Sequence, residues 1–256
     1  MTAFFIGLQF LTRLYVVKQT EWSAENFGKS VKYFTIIGAI IGIIMATLAW
    51  ILYVLMPSFG IYLPQQLSAL CLIIAGIVIT GGLHCDGFMD TMDGVFSGRS
   101  RERMLEIMKD SRVGANGIIG FVLLVLLKWS CLIGQSPQQI IAAVFLAPFL
   151  ARLNMVMGIT CFSYARPEGI GKAFAVYANK NSFYIALLVT IIGMSLVSLI
   201  VGGLPFITLV MTLILGYAFL NYIAKVLGGL TGDVYGAVTE LSEALVLLIF
   251  VIGNSF

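Results

Sequence analysis

The sequence predicts an all-α fold: a polytopic membrane helical bundle of about seven transmembrane helices, preceded by an N-terminal interfacial or re-entrant helix. Three observations carry that expectation. Of 256 residues, 60% are hydrophobic and 11% charged, and mean hydropathy is +1.02. A water-soluble domain carries about 25% charged residues, and this scarcity leaves a surface suited to lipid. The apolar residues also fall into runs near the length of about 20 that crosses hydrocarbon as a helix. Finally, charge is confined to every second connection between those runs.

Ala3–Val17 is too short to span and carries Arg13, so it reads as the interfacial or re-entrant helix. It lacks a basic leader and a small-residue cleavage site, so it reads as retained rather than removed. The spans are then Tyr33–Met56, Leu63–Gly82, Val113–Gly134, Gln138–Tyr164, Phe183–Gly202, Pro205–Leu227 and Ala237–Gly253. No linker, charge block or low-complexity stretch divides residues 1–256, which read as one bundle.

Charges lie in the segment before the first span (Arg13, Lys18, Lys29, Lys32), after the second (Arg99, Arg101, Arg103, Lys109, Arg112), after the fourth (Arg166, Lys172, Lys180) and around the sixth–seventh connection (Lys225, Asp233). Pro57–Tyr62, Gln135–Pro137 and Gly203–Leu204 carry none. The alternation predicts a cytoplasmic N-terminus and an outside C-terminus. All acidic residues then fall on the cytoplasmic side. A net charge of +3 gives no case for a nucleic-acid partner; membrane lipid is the expected surroundings, and a homo-oligomer stays open. Cys71, Cys85, Cys131 and Cys161 show neither disulfide nor zinc spacing. The aromatic residues read as lipid-facing or interfacial.

The most specific segment is GGLHCDGFMDTMDGVFSGR, Gly81 to Arg99. Asp86, Asp90 and Asp93 recur at i, i+4, i+7 and share one helical face. Three carboxylates there repel one another near a low dielectric unless a cation offsets them. Mg²⁺ suits them, with Mn²⁺ as substitute, because hard ions take carboxylate oxygens and complete their shell with water and phosphate. A second cluster, GLTGDVYGAVTELSE, brings Asp233 and Glu240 seven apart, with Glu243 one turn on. Two acidic helices suit two metal ions, which clamp the attacking and leaving oxygens of a displacement. The metal candidates are thus Asp86, Asp90, Asp93, Asp233 and Glu240.

Cations lie between the clusters. Arg101–Lys109 reads as an amphipathic surface helix; Arg99 and Arg103 suit substrate contact as well as lipid headgroups. Asp110 or Ser111 is the expected N-cap of the third span, placing Arg112 beside amides suited to an anion. Arg166 and Lys172, in YARPEGIGKAF, are placed to close over a phosphorylated substrate. His84, the only histidine, is a candidate substrate contact or a hydrogen-bonded structural residue. Arg152, deep in the fourth span, needs a partner among the acidic clusters or substrate. Lys128, near the outer end of its span, reads as snorkelling.

The segments GGLHCDGFMDTMDG, MLEIMKDSRVGANG, YARPEGIGKAF and GLTGDVYGAVTELSE, in that order, resemble the cobalamin-5′-phosphate synthase family, the adenosylcobinamide-GDP ribazoletransferases. The resemblance implies a Mg²⁺-dependent enzyme of a bacterial inner membrane acting late in cobalamin biosynthesis. Its substrates would be adenosylcobinamide-GDP and α-ribazole or its 5′-phosphate, and GMP would leave. Asp93, Asp90 and Arg112 are then the catalytic candidates; His84, Arg99, Arg103, Asp110, Arg152, Arg166, Lys172 and Glu243 the substrate contacts. Asp90-Thr91-Met92-Asp93-Gly94 is also similar to the opening of the CDP-alcohol phosphotransferase pattern. Val95-Phe96-Ser97-Gly98-Arg99 replaces the Ala-Arg of that pattern, and its later acidic half is missing. A phospholipid-making enzyme of that kind and a cation-coupled transporter are the rival readings.

Overall fold

A computed structural model describes residues 2–18 and 22–253. Every apolar run read from the sequence contains a helix, though the first stops at Leu11 rather than Val17. A short helix, α1 (Thr2–Leu11), buries Ile6, Leu8 and Leu11 and packs on α2 (Ala24–Ser58), a span of 35 residues that includes one turn of 3₁₀ helix and one of π helix. Ser23 starts α2 by accepting a hydrogen bond from the Asn26 amide. The remaining long helices are α7 (Pro137–Cys161), α9 (Ser182–Val201), α10 (Leu204–Leu227) and α11 (Gly232–Gly253), each long and apolar enough to cross a membrane. Between α2 and α7 come α3 (Gln65–Thr80), α4 (Leu83–Val95), α5 (Arg101–Ile107) and α6 (Ala115–Cys131); α8 (Ile170–Tyr177) precedes α9.

Helix α7 is the axis of the bundle. Ser136 and Gln139 form a capping box at its start, with Pro137 in the first turn. Its spanning window is 89% buried, against 17% for α9, so the core surrounds α7 and lipid-facing surface falls on α9. Helices α2, α9, α10 and α11 pack directly on it.

The expected second and third spans come out differently from the rest. Apolar α3 ends where Gly81 and Gly82 adopt left-handed backbone angles, φ +64° and +72°. That conformation costs any residue with a Cβ, which is why two glycines stand there. The chain turns by 92° into α4. The acidic helix therefore does not continue its span; it lies across it, wedged between α11 and α6. Helix α6, at 17 residues, is about 25 Å long and sits at the short end of the spanning range.

Candidate active site

The site is built where α4 crosses α11. A Cβ on Gly87 would stand 2.7 Å from the Asp233 carbonyl oxygen, and one on Gly236 would stand 3.1 Å from that of His84. Only hydrogen at these two positions lets the backbones approach so closely. The close crossing carries Asp86 and Asp90 of α4 to Asp233 of α11, near enough for Asp90 to feel the charge of both.

A strap completes the cluster. The chain after α7 pairs with the α10–α11 connection: the Ala165 amide donates to the Leu230 carbonyl and the Leu230 amide to that of Ser163, both at 2.8 Å. This pairing holds Arg166 against Asp233, guanidinium nitrogen to carboxylate oxygen at 2.8 Å. Thr231 donates to the same carboxylate at 3.2 Å. Asp86 is exposed and Asp90 half-buried, and neither carboxylate makes a hydrogen bond or ion pair among the described residues. Among those residues no three His, Cys, Asp or Glu side chains are already gathered as ligands of one ion. An ion here would take one or two carboxylates and fill its shell from water and phosphate, the usual habit of Mg²⁺.

Behind the carboxylates is a cavity of about 250 Å³. Asp86, Asp233 and Arg166 stand with its lining residues, and Phe34, Phe174, Met155 and Ile159 supply apolar wall. His84 and Tyr235 also line it, 1% and 3% exposed, and neither His84 Nε2 nor Tyr235 Oη has a hydrogen-bond partner among the described residues. The aromatic residues Phe34, Phe174 and Tyr235 thus depart from the lipid-facing or interfacial expectation and are buried. An aromatic inside the second acidic segment is the one sequence signal for Tyr235, since helical periodicity sets it off the Asp233 face. Tyr164, just beyond α7, stacks loosely on Tyr235 at 6.5 Å between centroids, and burial raises its phenol above the ordinary tyrosine range.

The second acidic cluster is divided. Asp233 belongs to the cavity mouth, whereas Glu240 and Glu243 lie about two to three turns further along α11. There Lys128 Nζ contacts Glu240 at 2.6 Å and Glu243 at 3.0 Å, and Arg152 contacts Glu243 at 2.5 Å. Cys85 completes the shell of Glu240. Two cations and two anions cancel, which makes their burial tolerable. Arg152 thus pairs with an acidic cluster, as its depth requires. Lys128 does not snorkel: its side chain is 11% exposed and ties α6 to α11. Glu240 and Glu243, read as metal and substrate contacts, have their oxygens engaged by these cations.

Asp93 is likewise occupied. Its two oxygens accept from the Gly114 and Gly117 amides at 2.7 and 2.8 Å, so a carboxylate from α4 caps α6 and complements its dipole. Asp110 and Ser111 do not cap that helix; Gly114 occupies the N-cap position. The amides expected to receive an anion beside Arg112 already hold one. Arg112 instead forms a two-pronged, exposed contact with Asp110 at 2.7 and 3.0 Å, holding the Asp110 carboxyl down at about 2. Arg103 pairs with Glu106 at 2.8 Å, Arg99 is exposed, and Lys172 donates to the Pro167 carbonyl. None of these four cations makes an ion pair with Asp86, Asp90 or Asp233 among the described residues. Arg101 closes the end of α10, its Nε donating to the Leu227 carbonyl at 2.6 Å.

Fold and site together define a multi-pass helical membrane protein with a carboxylate–guanidinium mouth over an aromatic-lined cavity, a class suited to phosphate-bearing substrates. The cobalamin-5-phosphate synthase family model matches residues 3–251, and the chain belongs to that family. Curated relatives named adenosylcobinamide-GDP ribazoletransferase include those of Clostridium acetobutylicum, 34% identical over 94% of this chain and 92% of the relative, and Fusobacterium nucleatum subsp. nucleatum, 33% identical over 100% and 99%. A third, from Roseiflexus sp., is 38% identical over 94% and 86%. No solved structure matches the chain significantly.

Proposed function

We propose that this chain is an adenosylcobinamide-GDP ribazoletransferase, embedded in a bacterial inner membrane with its carboxylate mouth, N-terminus and charged connections on the cytoplasmic side. The observation that carries the reading is the meeting of Asp86, Asp233 and Arg166 at one cavity mouth, with Asp90 near enough to feel their charge, in a chain whose curated relatives carry that name.

The reaction is a displacement at phosphorus. A ribose hydroxyl oxygen of α-ribazole, or of its 5′-phosphate, forms a bond to the phosphorus joined to cobinamide. The bond from that phosphorus to the bridging oxygen breaks, and GMP departs with the oxygen. The hydroxyl proton passes to a carboxylate at the mouth. Asp90 is our choice for that acceptor, because Asp93 is committed to the α6 amides and Asp233 to Arg166. Arg166 stands where a phosphate oxygen would meet a planar, two-pronged donor.

Mg²⁺, one ion or two, with Mn²⁺ as substitute, is the cofactor we propose, held by Asp86 and Asp233, with Asp90 beside them to take the proton. The fit rests on donor chemistry: these are oxygen donors only, with a single guanidinium against three carboxylates. When bound, such an ion neutralises charge on the diphosphate.

The test is direct. Purified chain is incubated with adenosylcobinamide-GDP and α-ribazole, with and without Mg²⁺, and GMP is measured. Release that depends on both substrates and on the ion is expected. No GMP with any divalent ion overturns the proposal. Ion-dependent uptake into vesicles without covalent change would favour a transporter, and activity on CDP-linked lipid precursors the phospholipid enzyme.

A further inference from the structure

The cavity behind the carboxylates has a chemistry the phosphate reaction does not explain. Phe34, Phe174, Met155 and Ile159 give it an apolar face, and His84 Nε2 and Tyr235 Oη of its wall, with Arg166 Nε at its mouth, are buried and unpartnered among the described residues. Leaving such atoms unpaired is costly, so an occupant that satisfies one of them is favoured over none. From this geometry we infer that the cavity holds the aromatic base of the ribazole nucleoside, with the ribose at the mouth beside Asp86 and Asp233. The inference rests on the proposed reaction and names which part of which substrate enters.

Size and polarity make the selection. At about 250 Å³ the cavity falls below the roughly 300–1,000 Å³ of clefts that enclose a drug-sized ligand. A corrin macrocycle with its side chains is far too large. The remaining planar groups are guanine and the ribazole base. Guanine carries an amide and an amine on its edge and needs several partners at once, whereas away from the Arg166 and carboxylate mouth the unpartnered side-chain atoms of the wall are His84 Nε2 and Tyr235 Oη among the described residues. A benzimidazole-type base is carbon except for one free ring nitrogen, an acceptor that needs one donor. Tyr235 Oη is such a donor, and His84 Nε2 another when it carries the proton. The aromatic side chains of the wall suit a flat fused ring. A lipid acyl chain would leave both polar atoms unpaired. With the base inside, the sugar lies at the rim, where Asp86, Asp233 and Arg166 are found.

The experiment compares wild type, Ile159→Phe and Tyr235→Phe, purified as the full chain in detergent, by steady-state GMP release. Ile159→Phe fills the cavity, and KM for α-ribazole is expected to rise about ten-fold or more with KM for adenosylcobinamide-GDP unchanged. Tyr235→Phe removes one donor without changing shape, and about a five-fold rise for α-ribazole alone is expected. A rise confined to adenosylcobinamide-GDP would place guanine in the cavity and overturn the inference. Unchanged constants in both variants would overturn it too. Free 5,6-dimethylbenzimidazole, titrated into each protein by fluorescence, gives a second reading that needs no turnover. Binding weakened by Ile159→Phe and resisted by excess GMP supports the inference; displacement by GMP opposes it. If wild type releases no GMP, the proposed reaction falls, and this titration still decides what the cavity binds.

Discussion

Replacing Gly87 with alanine is expected to lower kcat/KM by about 10- to 100-fold while the chain remains folded and inserted. A Cβ at this position would lie 2.7 Å from the Asp233 carbonyl oxygen and 3.0 Å from its Cα. Ordinary contact begins at 3.4 Å, so α4 and α11 must part by about 0.7 Å. Both obstructing atoms are main chain, and no rotamer change relieves them. Overpacking of this kind costs about 1–3 kcal/mol in stability, whereas misplacement of reacting groups by about 1 Å costs about 100-fold in rate. Activity should therefore suffer more than stability. Gly236→Ala meets its nearest atom at 3.1 Å and should lose less than Gly87→Ala; Gly76→Ala, with only the tip of Met45 at 3.9 Å, should match wild type. The assay is the initial rate of GMP release beside the melting temperature in detergent. If Gly87→Ala turns over as fast as Gly76→Ala, the close crossing does not position the carboxylates and the reasoning fails.

Asp86→Asn and Asp90→Asn should each lower kcat by about 100-fold or more, the usual cost of losing one electrostatic element at a transition state; full turnover by both would remove these carboxylates from the chemistry. Lys128→Met leaves two carboxylates facing one arginine, and about 3–5 kcal/mol of stability should be lost. Adding Glu240→Gln to Lys128→Met should restore part of that melting temperature, and a double variant no better than the single would contradict the pairing. Asp93→Ala removes both acceptors from the α6 amides and should cost about 1–2 kcal/mol, read as faster amide hydrogen exchange at Gly114 and Gly117. The Asp110 carboxyl is held at about 2 by Arg112. Its folded value is thus depressed, so the stabilisation is present above the unfolded value and is lost as pH falls through about 2. Asp110→Asn should then leave the pH profile unchanged between about 5 and 9, and a shifted limb in that window would show otherwise.

Most of the architecture is legible in the sequence because lipid imposes a single rule, an apolar run of fixed length, on every span. The bend at Gly81–Gly82 is not: paired glycines signal a stop, and the direction taken by α4 depends on α11, distant in sequence. For the site, periodicity correctly sets Asp86 and Asp90 on one face. It also puts Asp93 there, yet Asp93 reaches the Gly114 and Gly117 amides, 21 and 24 residues on, a partnership without local signature. Lys128 misleads for a related reason. Depth along its own helix suggests snorkelling, while the deciding groups, Glu240 and Glu243, sit 112 and 115 residues on. Arg152 is easier, since a fully buried guanidinium demands an acid whichever helix supplies it.

That separation bears on how the chain is made. Helix α6 emerges from the ribosome with Lys128 bare, and its two acids are synthesised 112 and 115 residues afterwards. A lone charge at the centre of a span costs about 2.5–3.5 kcal/mol at insertion, and Arg152, near the middle of α7, arrives as a second cation before either acid. Only when α11 enters is the charge balanced. Helix α11 therefore acts as a clasp on α6 and α7, whose two cations stay unbalanced until its acids are in place.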